Sequence, residues 1–186
     1  MSSSIPGGAG PRLYHLHPLT AGPIDQWSAH FPRVREMAFD GVYVASPFAA
    51  GAAGSLALPA EPFKLDRRLA GEDADAFAPL AERVTEAADH GLALWVELIL
   101  PYVAEDGLLA RTHPQWIARD AHGWPRHAGG AGGLVLDLDA ANEAQLEHMA
   151  ARGRMCLDAG VRGLRFTAAH RVPAAFWRAL LERLRA

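Results

Sequence analysis

The sequence predicts an α/β fold built from four strand–helix units in series, with parallel strands joined by crossover helices. Three observations carry this. Short apolar runs alternate with longer stretches of helical periodicity, and long loops follow the runs. The run at 92–100 is apolar throughout except for Glu97, the pattern of a strand buried on both faces. Such an order fits either an open doubly wound sheet or a segment of a (β/α)8 barrel, and periodicity does not choose between them. A full barrel takes roughly 250 residues; this chain has 186.

The elements follow in order. Residues 1–12, rich in Ser, Gly and Pro, read as a flexible leader, and 13–186 as the folded domain. A first strand at 13–17 ends at Pro18. Helical spacing through Trp27, Phe31, Val34 and Met37 places a helix over 25–37, with Pro32 kinking it or shifting its start. A second strand at 42–45 lies between Gly41 and Ser46-Pro47, and 49–72 reads as a long loop rich in Gly and Ala. A helix over 75–90 sets Phe77, Leu80, Val84 and Ala88 on one face and stops at Gly91. After the third strand, a second long connection at 101–133 carries Trp116, Trp124 and a flexible glycine run. Residues 134–138 form a short strand or extended piece. Asp139 or Asn142 then caps a helix running to Ala159, with Leu146, Met149 and Leu157 on its apolar side. A fourth strand at 163–166 precedes a last helix at 174–185, opened by Pro173.

Composition narrows the class. Half of the residues are hydrophobic and 21% are charged, as in a soluble globular domain, which excludes a disordered tail, a collagen-like repeat and a disulfide scaffold. A net charge of −3 argues against a nucleic-acid partner. Lys64 is the only lysine among 18 Lys and Arg residues, and alanine is abundant, as a GC-rich genome would produce. The lone Cys156 forms no internal disulfide and reads as a buried small hydrophobe in a reducing, cytoplasmic setting. No apolar run reaches the ~18–20 residues of a membrane span, and no secretory signal pattern opens the chain, so no membrane partner is expected.

The familiar cofactor signatures are absent. There is no dinucleotide-binding glycine fingerprint, no phosphate loop and no serine elbow, so no cofactor is expected. His15 and His17 share one side of their strand, but no motif supplies a third ligand, so no metal is expected either. Trp95, Tyr102, Trp116 and Trp124 lie near strand ends, where flat rings either stack on sugars or fill core.

The residues from Asp158 through Gly160-Val161-Arg162-Gly163-Leu164-Arg165-Phe166-Thr167-Ala168-Ala169-His170 to Pro173 and Phe176-Trp177 carry the most information. They resemble the fourth-strand segment of the α-amylase family, glycoside hydrolase family 13. The trailing Val172-Pro173 and Phe176-Trp177 are most similar to its maltosyltransferase branch, which handles maltose 1-phosphate. Tyr14-His15-Leu16-His17-Pro18 resembles the family's first strand, Phe39 to Pro47 its second, and His90 to Tyr102 its third. The resemblance covers nearly all of 13–186, in order. It implies the N-terminal half of a (β/α)8 barrel.

The same resemblance implies where chemistry should sit, and there the chain departs from the pattern. Retaining glycosidases use a carboxylate nucleophile and a carboxylic acid about the scissile bond. The family's nucleophile is an Asp two residues after the conserved Arg; here Arg165 stands in place, but Thr167 occupies the nucleophile position. A threonine hydroxyl needs an adjacent base to attack, and His170 is the nearby candidate in sequence. The third-strand Asp-x-x-x-Asn-His becomes Glu97-Leu-Ile-Leu-Pro101-Tyr102. The family's acid/base Glu and its second Asp belong to strands beyond these four.

The expectation is therefore an α-amylase-like domain with degenerate motifs, non-catalytic by itself and tied to α-glucan metabolism. Two alternatives stand: part of an active glycosyl transferase or hydrolase completed by another segment, or a sugar-binding or scaffolding module. The expected contacts to an α-glucan or maltooligosaccharide are Glu97, Tyr102, Trp116, Trp124, Arg165 and Arg171. Glu97, a lone acid in a buried strand, needs a partner, and Arg165 on the neighbouring strand is the expected one. Half a barrel leaves two bare sheet edges and an open inner face, which calls for a homodimer or a C-terminal half barrel.

Overall fold

A computed structural model describes residues 10–72, 77–129 and 131–185. In chain order the elements are β1 (Leu13–Leu16), α1 (Pro18–Ala21), a 3-10 segment (Ile24–His30), α2 (Phe31–Glu36), β2 (Gly41–Val44), β3 (Phe48–Ala50), β4 (Pro59–Leu65), α3 (Arg67–Ala70) and α4 (Ala78–Asp89). There follow β5 (Ala93–Ile99), β6 (Tyr102–Ala104), α5 (Leu108–Thr112), β7 (Gly133–Val135), α6 (Glu143–Asp158), β8 (Gly163–Thr167) and α7 (Ala174–Arg185). Four strands form one parallel sheet in the order β1-β2-β5-β8. Long helix-bearing crossovers enforce that parallel sense. The expected four βα units are all present, and they make half of a (β/α)8 barrel.

The main core lies between the sheet and the helices on its outer side. Trp27, Phe31, Val34, Leu80, Val42, Val44, Leu94 and Val96 are buried there together with Cys156. Burial pushes the Cys156 thiol up to about 12, so it behaves as the small hydrophobe expected. A second core joins α6 and α7 through Leu146, Met149, Phe176 and Leu180. The N-terminus of α6 is fixed by Asn142, whose side chain accepts from the Gln145 amide; such a cap contributes about 1 kcal/mol. Pro32 and Pro79 occupy first-turn positions, where a missing N–H costs nothing, so the helix expected at 25–37 becomes a 3-10 segment followed by α2.

Both long connections are more structured than the sequence suggested. The stretch 49–72 contains β4 and α3, with β4 paired antiparallel to β3, and 101–133 contains α5 and the β6–β7 ladder. The run at 134–138 supplies part of β7 and bridges Ile117 and His127, and it joins no barrel strand. The physical reason is common to both. An excursion of this length must pair its own backbone polar groups when it packs over other residues, and a local ladder does so. The leader at 1–9 and the start of the helix expected from 75 lie outside the described residues.

Four side chains depart from the expected faces. Leu157 is 36% exposed, because positions 146, 149, 153 and 156 define the buried stripe of α6 and 157 is rotated off it. Ala88 is exposed while Ala87 is buried, for the same reason on α4. Met37 lies just past α2 and is exposed. Trp116 is only 4% exposed, stacked on His113 at 4.0 Å inside the second core, and so offers no open face to a sugar.

The inner side of α6 also carries two polar groups. Arg152 is buried, with Nη1 donating to the Ile99 carbonyl at 3.1 Å and its guanidinium 5.5 Å from the Phe48 ring. One turn earlier, His148 packs against the edges of Phe63 and Trp116, and its Nε2 is buried with no partner. Burial, with Arg152 and His113 adding repulsion, depresses His148 to about 4. The imidazole is thus neutral in the folded chain, whereas the unfolded chain takes up a proton near pH 6.5. Stability should therefore fall as pH drops from about 6.5 towards 4. Thermal melts across this range should show the fall, and His148→Gln should flatten it; an equal slope in both proteins would contradict the assignment.

Candidate functional site

Parallel register decides which side chains converge. His15, Tyr43, Trp95 and Gly163 fall side by side across the four strands, and Glu97 pairs with Arg165 two residues further on. Because side chains alternate along a strand, all of these face the barrel interior, and Thr167 follows Arg165 on the same side. Gly163 is needed here. A Cβ at this position would lie 2.4 Å from the Trp95 ring, so the indole occupies the space that any larger residue would take.

At the centre is one arginine. Arg165 Nη1 donates to Glu97 Oε1 at 2.9 Å, to Tyr43 Oη at 2.6 Å and to Thr167 Oγ1 at 3.2 Å. The expected Glu97–Arg165 pair is therefore formed. Thr167 Oγ1 donates to the same Glu97 oxygen, and the Ser46 amide donates to the other at 3.1 Å. The guanidinium also lies over the Tyr43 ring, 4.7 Å from its centroid, and His15 stacks on that ring at 5.0 Å. Burial pushes the Tyr43 phenol up to about 12; the Glu97 carboxylate adds to the rise and Arg165 opposes it. The phenol stays protonated at any physiological pH.

These groups floor an open cleft of about 700 Å³, walled by His15, His17, Leu19 and the loop at 54–57. Ser46 Oγ, in the lining, is buried and has no hydrogen-bond partner. Immediately after Thr167, Ala168 holds a left-handed conformation (φ 55°), which costs a non-glycine residue about 1 kcal/mol or more. It turns the chain sharply into the Ala169–Arg171 segment. His170 is exposed on that turn and does not line the cleft. Among the described residues, no group of three or more His, Cys, Asp or Glu side chains is arranged to hold a metal ion.

The remaining expected contacts separate from this cluster. Tyr102 and Arg171 line a neighbouring cavity of about 540 Å³, which meets the main cleft at Ser55 and Ala57. Trp124 is 70% exposed at the tip of a turn held by Asp120, whose Oδ1 accepts from the His122 and Trp124 amides. Sequence reasoning missed Tyr43 and Ser46 as site residues. The signal was available: Tyr43 shares a register position with His15, and Ser46 ends the same strand region.

No protein-family model matches the chain. It is 31% identical over 182 aligned residues to the α-1,4-glucan:maltose-1-phosphate maltosyltransferase of Burkholderia pseudomallei. That alignment covers 94% of this chain and 16% of the relative's length. A maltogenic α-amylase from Thermotoga neapolitana superposes with TM-score 0.79 at 20% identity, over 94% of this chain and 43% of that one. An α-amylase from Lactobacillus plantarum gives 0.77 at 19% identity, over 94% and 42%. The chain thus spans less than half the length of each of these proteins. Sequence likeness and fold agree with the resemblance read from the residues, that of an N-terminal half barrel of the α-amylase family near its maltosyltransferase branch.

Two substitutions test this geometry. Gly163→Ala should cost about 1–3 kcal/mol through overpacking against Trp95, read as a lower denaturant midpoint; an unchanged midpoint would mean the indole is free to move. Arg165→Met leaves Glu97 with neutral donors only. Because Arg165 is half exposed, the cost should be nearer about 1–3 kcal/mol than that of a fully buried pair. A double-mutant cycle with Glu97→Gln should recover part of it, and strict additivity would show that the pair is not coupled.

Proposed function

We propose that this half-barrel relative of the α-amylase family is a non-catalytic module that binds α-glucan chains or maltooligosaccharides in the Arg165 cleft. The observation that supports this most is the state of Thr167. The family resemblance implies a carboxylate nucleophile at this position, and the chain supplies a hydroxyl whose proton is already donated to Glu97. The carboxylate in the cleft lining, Glu97, has its two oxygens taken up by Arg165, Thr167 and the Ser46 amide, so it is not free to attack a glycosidic carbon.

Binding, by contrast, is well provided for. The cleft volume falls within the range of small-ligand sites. Arg165 is half exposed and presents donors, and the His15–Tyr43 stack supplies a flat wall. A sugar hydroxyl satisfies such donors at little cost. The second reading, part of an active enzyme, draws on the Thr167–Glu97 hydrogen bond, since a hydroxyl beside a carboxylate is the start of an activated nucleophile. Against it, the accepting oxygen of Glu97 also takes Arg165 Nη1.

Titration calorimetry with maltooligosaccharides, followed by product analysis of the same mixtures, separates the readings. Saturable binding without new products is expected. Absence of binding would overturn the proposal. Product formation abolished by Thr167→Val would establish the enzyme reading instead.

A further inference from the structure

We infer that the loop at 51–58 is a fixed partition between two halves of one binding groove, that Asp106 is the residue that positions it, and that the ligand it selects is a linear glucan chain long enough to fill both halves. The inference rests on the sugar-binding reading and adds to it the length of the chain and the residue that sets it.

The loop joins β3 to β4, and its two faces belong to different cavities. Gly54 and Leu56 line the cleft of about 700 Å³ that holds Arg165. Ala53 and Leu58 line the cavity of about 540 Å³ that holds Tyr102 and Arg171. Ser55 and Ala57 line both. Each volume alone is within the roughly 300–1,000 Å³ of a site for one small molecule, so a ligand that fills both is an oligomer. The loop consists of Gly, Ala, Ser and Leu and carries no charged side chain. Such a wall suits a neutral chain of hydroxyls and ring faces better than an ion.

The partition is built in place. On one side Asp106, in the turn between β6 and α5, accepts from the Ala52 amide on Oδ2 at 2.8 Å. The approach is so close that a Cβ on Gly51 would stand 2.2 Å from Asp106 Oδ1 and 2.6 Å from the Ala104 Cβ. On the other side Arg68 Nη1 donates to the Gly54 carbonyl at 3.0 Å. Nε and Nη2 of the same guanidinium donate to Asp66 at 2.7 and 3.0 Å, which holds it in that direction. Asp66 in turn accepts from the Ala50 amide at 3.0 Å, just before the loop begins. Two internal turns tighten the segment, from Gly54 N to the Gly51 carbonyl and from Leu58 N to the Ser55 carbonyl. At its end Leu58 seats on β7, where a Cβ on Gly133 would come within 2.7 Å of the Leu58 side chain. All of these groups lie between residues 50 and 133, within the two long connections and away from both edge strands.

Asp106 separates the effect of position from that of contact. It is exposed, reaches the loop through one backbone amide and lines neither cavity. A chain held in two linked subsites binds more tightly than a piece that fills one, and the gain needs both subsites held in register. Titration calorimetry of the intact protein with maltose and with maltoheptaose reads that gain as a ratio of affinities. The ratio is expected to be about tenfold or more. Asp106→Ala should bring it close to one, and Asp106→Asn, which keeps an oxygen acceptor for the Ala52 amide, should restore it. A loss of stability alone would weaken both sugars alike and leave the ratio unchanged. If Asp106→Ala does not fold, Ser55→Phe, which fills the point shared by the two cavities, should collapse the ratio in the same way. Equal affinities in the unaltered protein would overturn this inference and leave sugar binding standing. An unchanged ratio in the variants would overturn it too. Binding of neither sugar would overturn the sugar-binding reading and this inference with it.

Discussion

The ion pair between Arg165 and Glu97 holds the cleft together. It joins β5 to β8 at the one layer of the sheet interior where a carboxylate is buried, and it organises everything around it. Tyr43 is aligned under the guanidinium, Thr167 is drawn onto Glu97, and the Ser46 amide closes the far side of the carboxylate. Each of the four strands therefore contributes to one cluster, counting His15 stacked on Tyr43 from β1. A carboxylate at 8% exposure would be costly alone; three sets of donors make it tolerable.

That arrangement also explains how four strands of a barrel can form a polar cleft around a hydroxyl, Thr167, at the end of the last of them. The strands place inward side chains by a period of two, whatever those side chains are. With the neutral Thr167 beside Glu97, one arginine suffices to balance the carboxylate. The left-handed backbone at Ala168 turns the chain directly after Thr167, so the hydroxyl stands at the very end of its strand.

Much of this was legible in the sequence because it depends on local period. The four strands and the helices between them follow from apolar runs and capping residues, their barrel order from the family resemblance, and the Glu97–Arg165 pair from the need of a buried acid for a partner. The hairpins in and around 49–72 and 101–133 were not legible, because three of their four strands are only three residues long and the fourth, β4, carries two prolines. Trp116 and Trp124 look alike in sequence, yet one is core and the other is the exposed tip of a turn; tertiary packing alone distinguishes them. The buried Arg152 on α6 carries no sequence signal, since its position reads as one more arginine in an arginine-rich chain.

Whether the cleft holds a sugar and whether it transforms it are two separate properties. Amide chemical-shift mapping during addition of maltoheptaose, with reducing ends assayed in the same tube, reads both at once. Shifts clustered at residues 43–46, 54–57, 97 and 163–167, with a constant number of reducing ends, are the predicted result. Shifts scattered away from the cleft, or a steady rise in reducing ends, would contradict it.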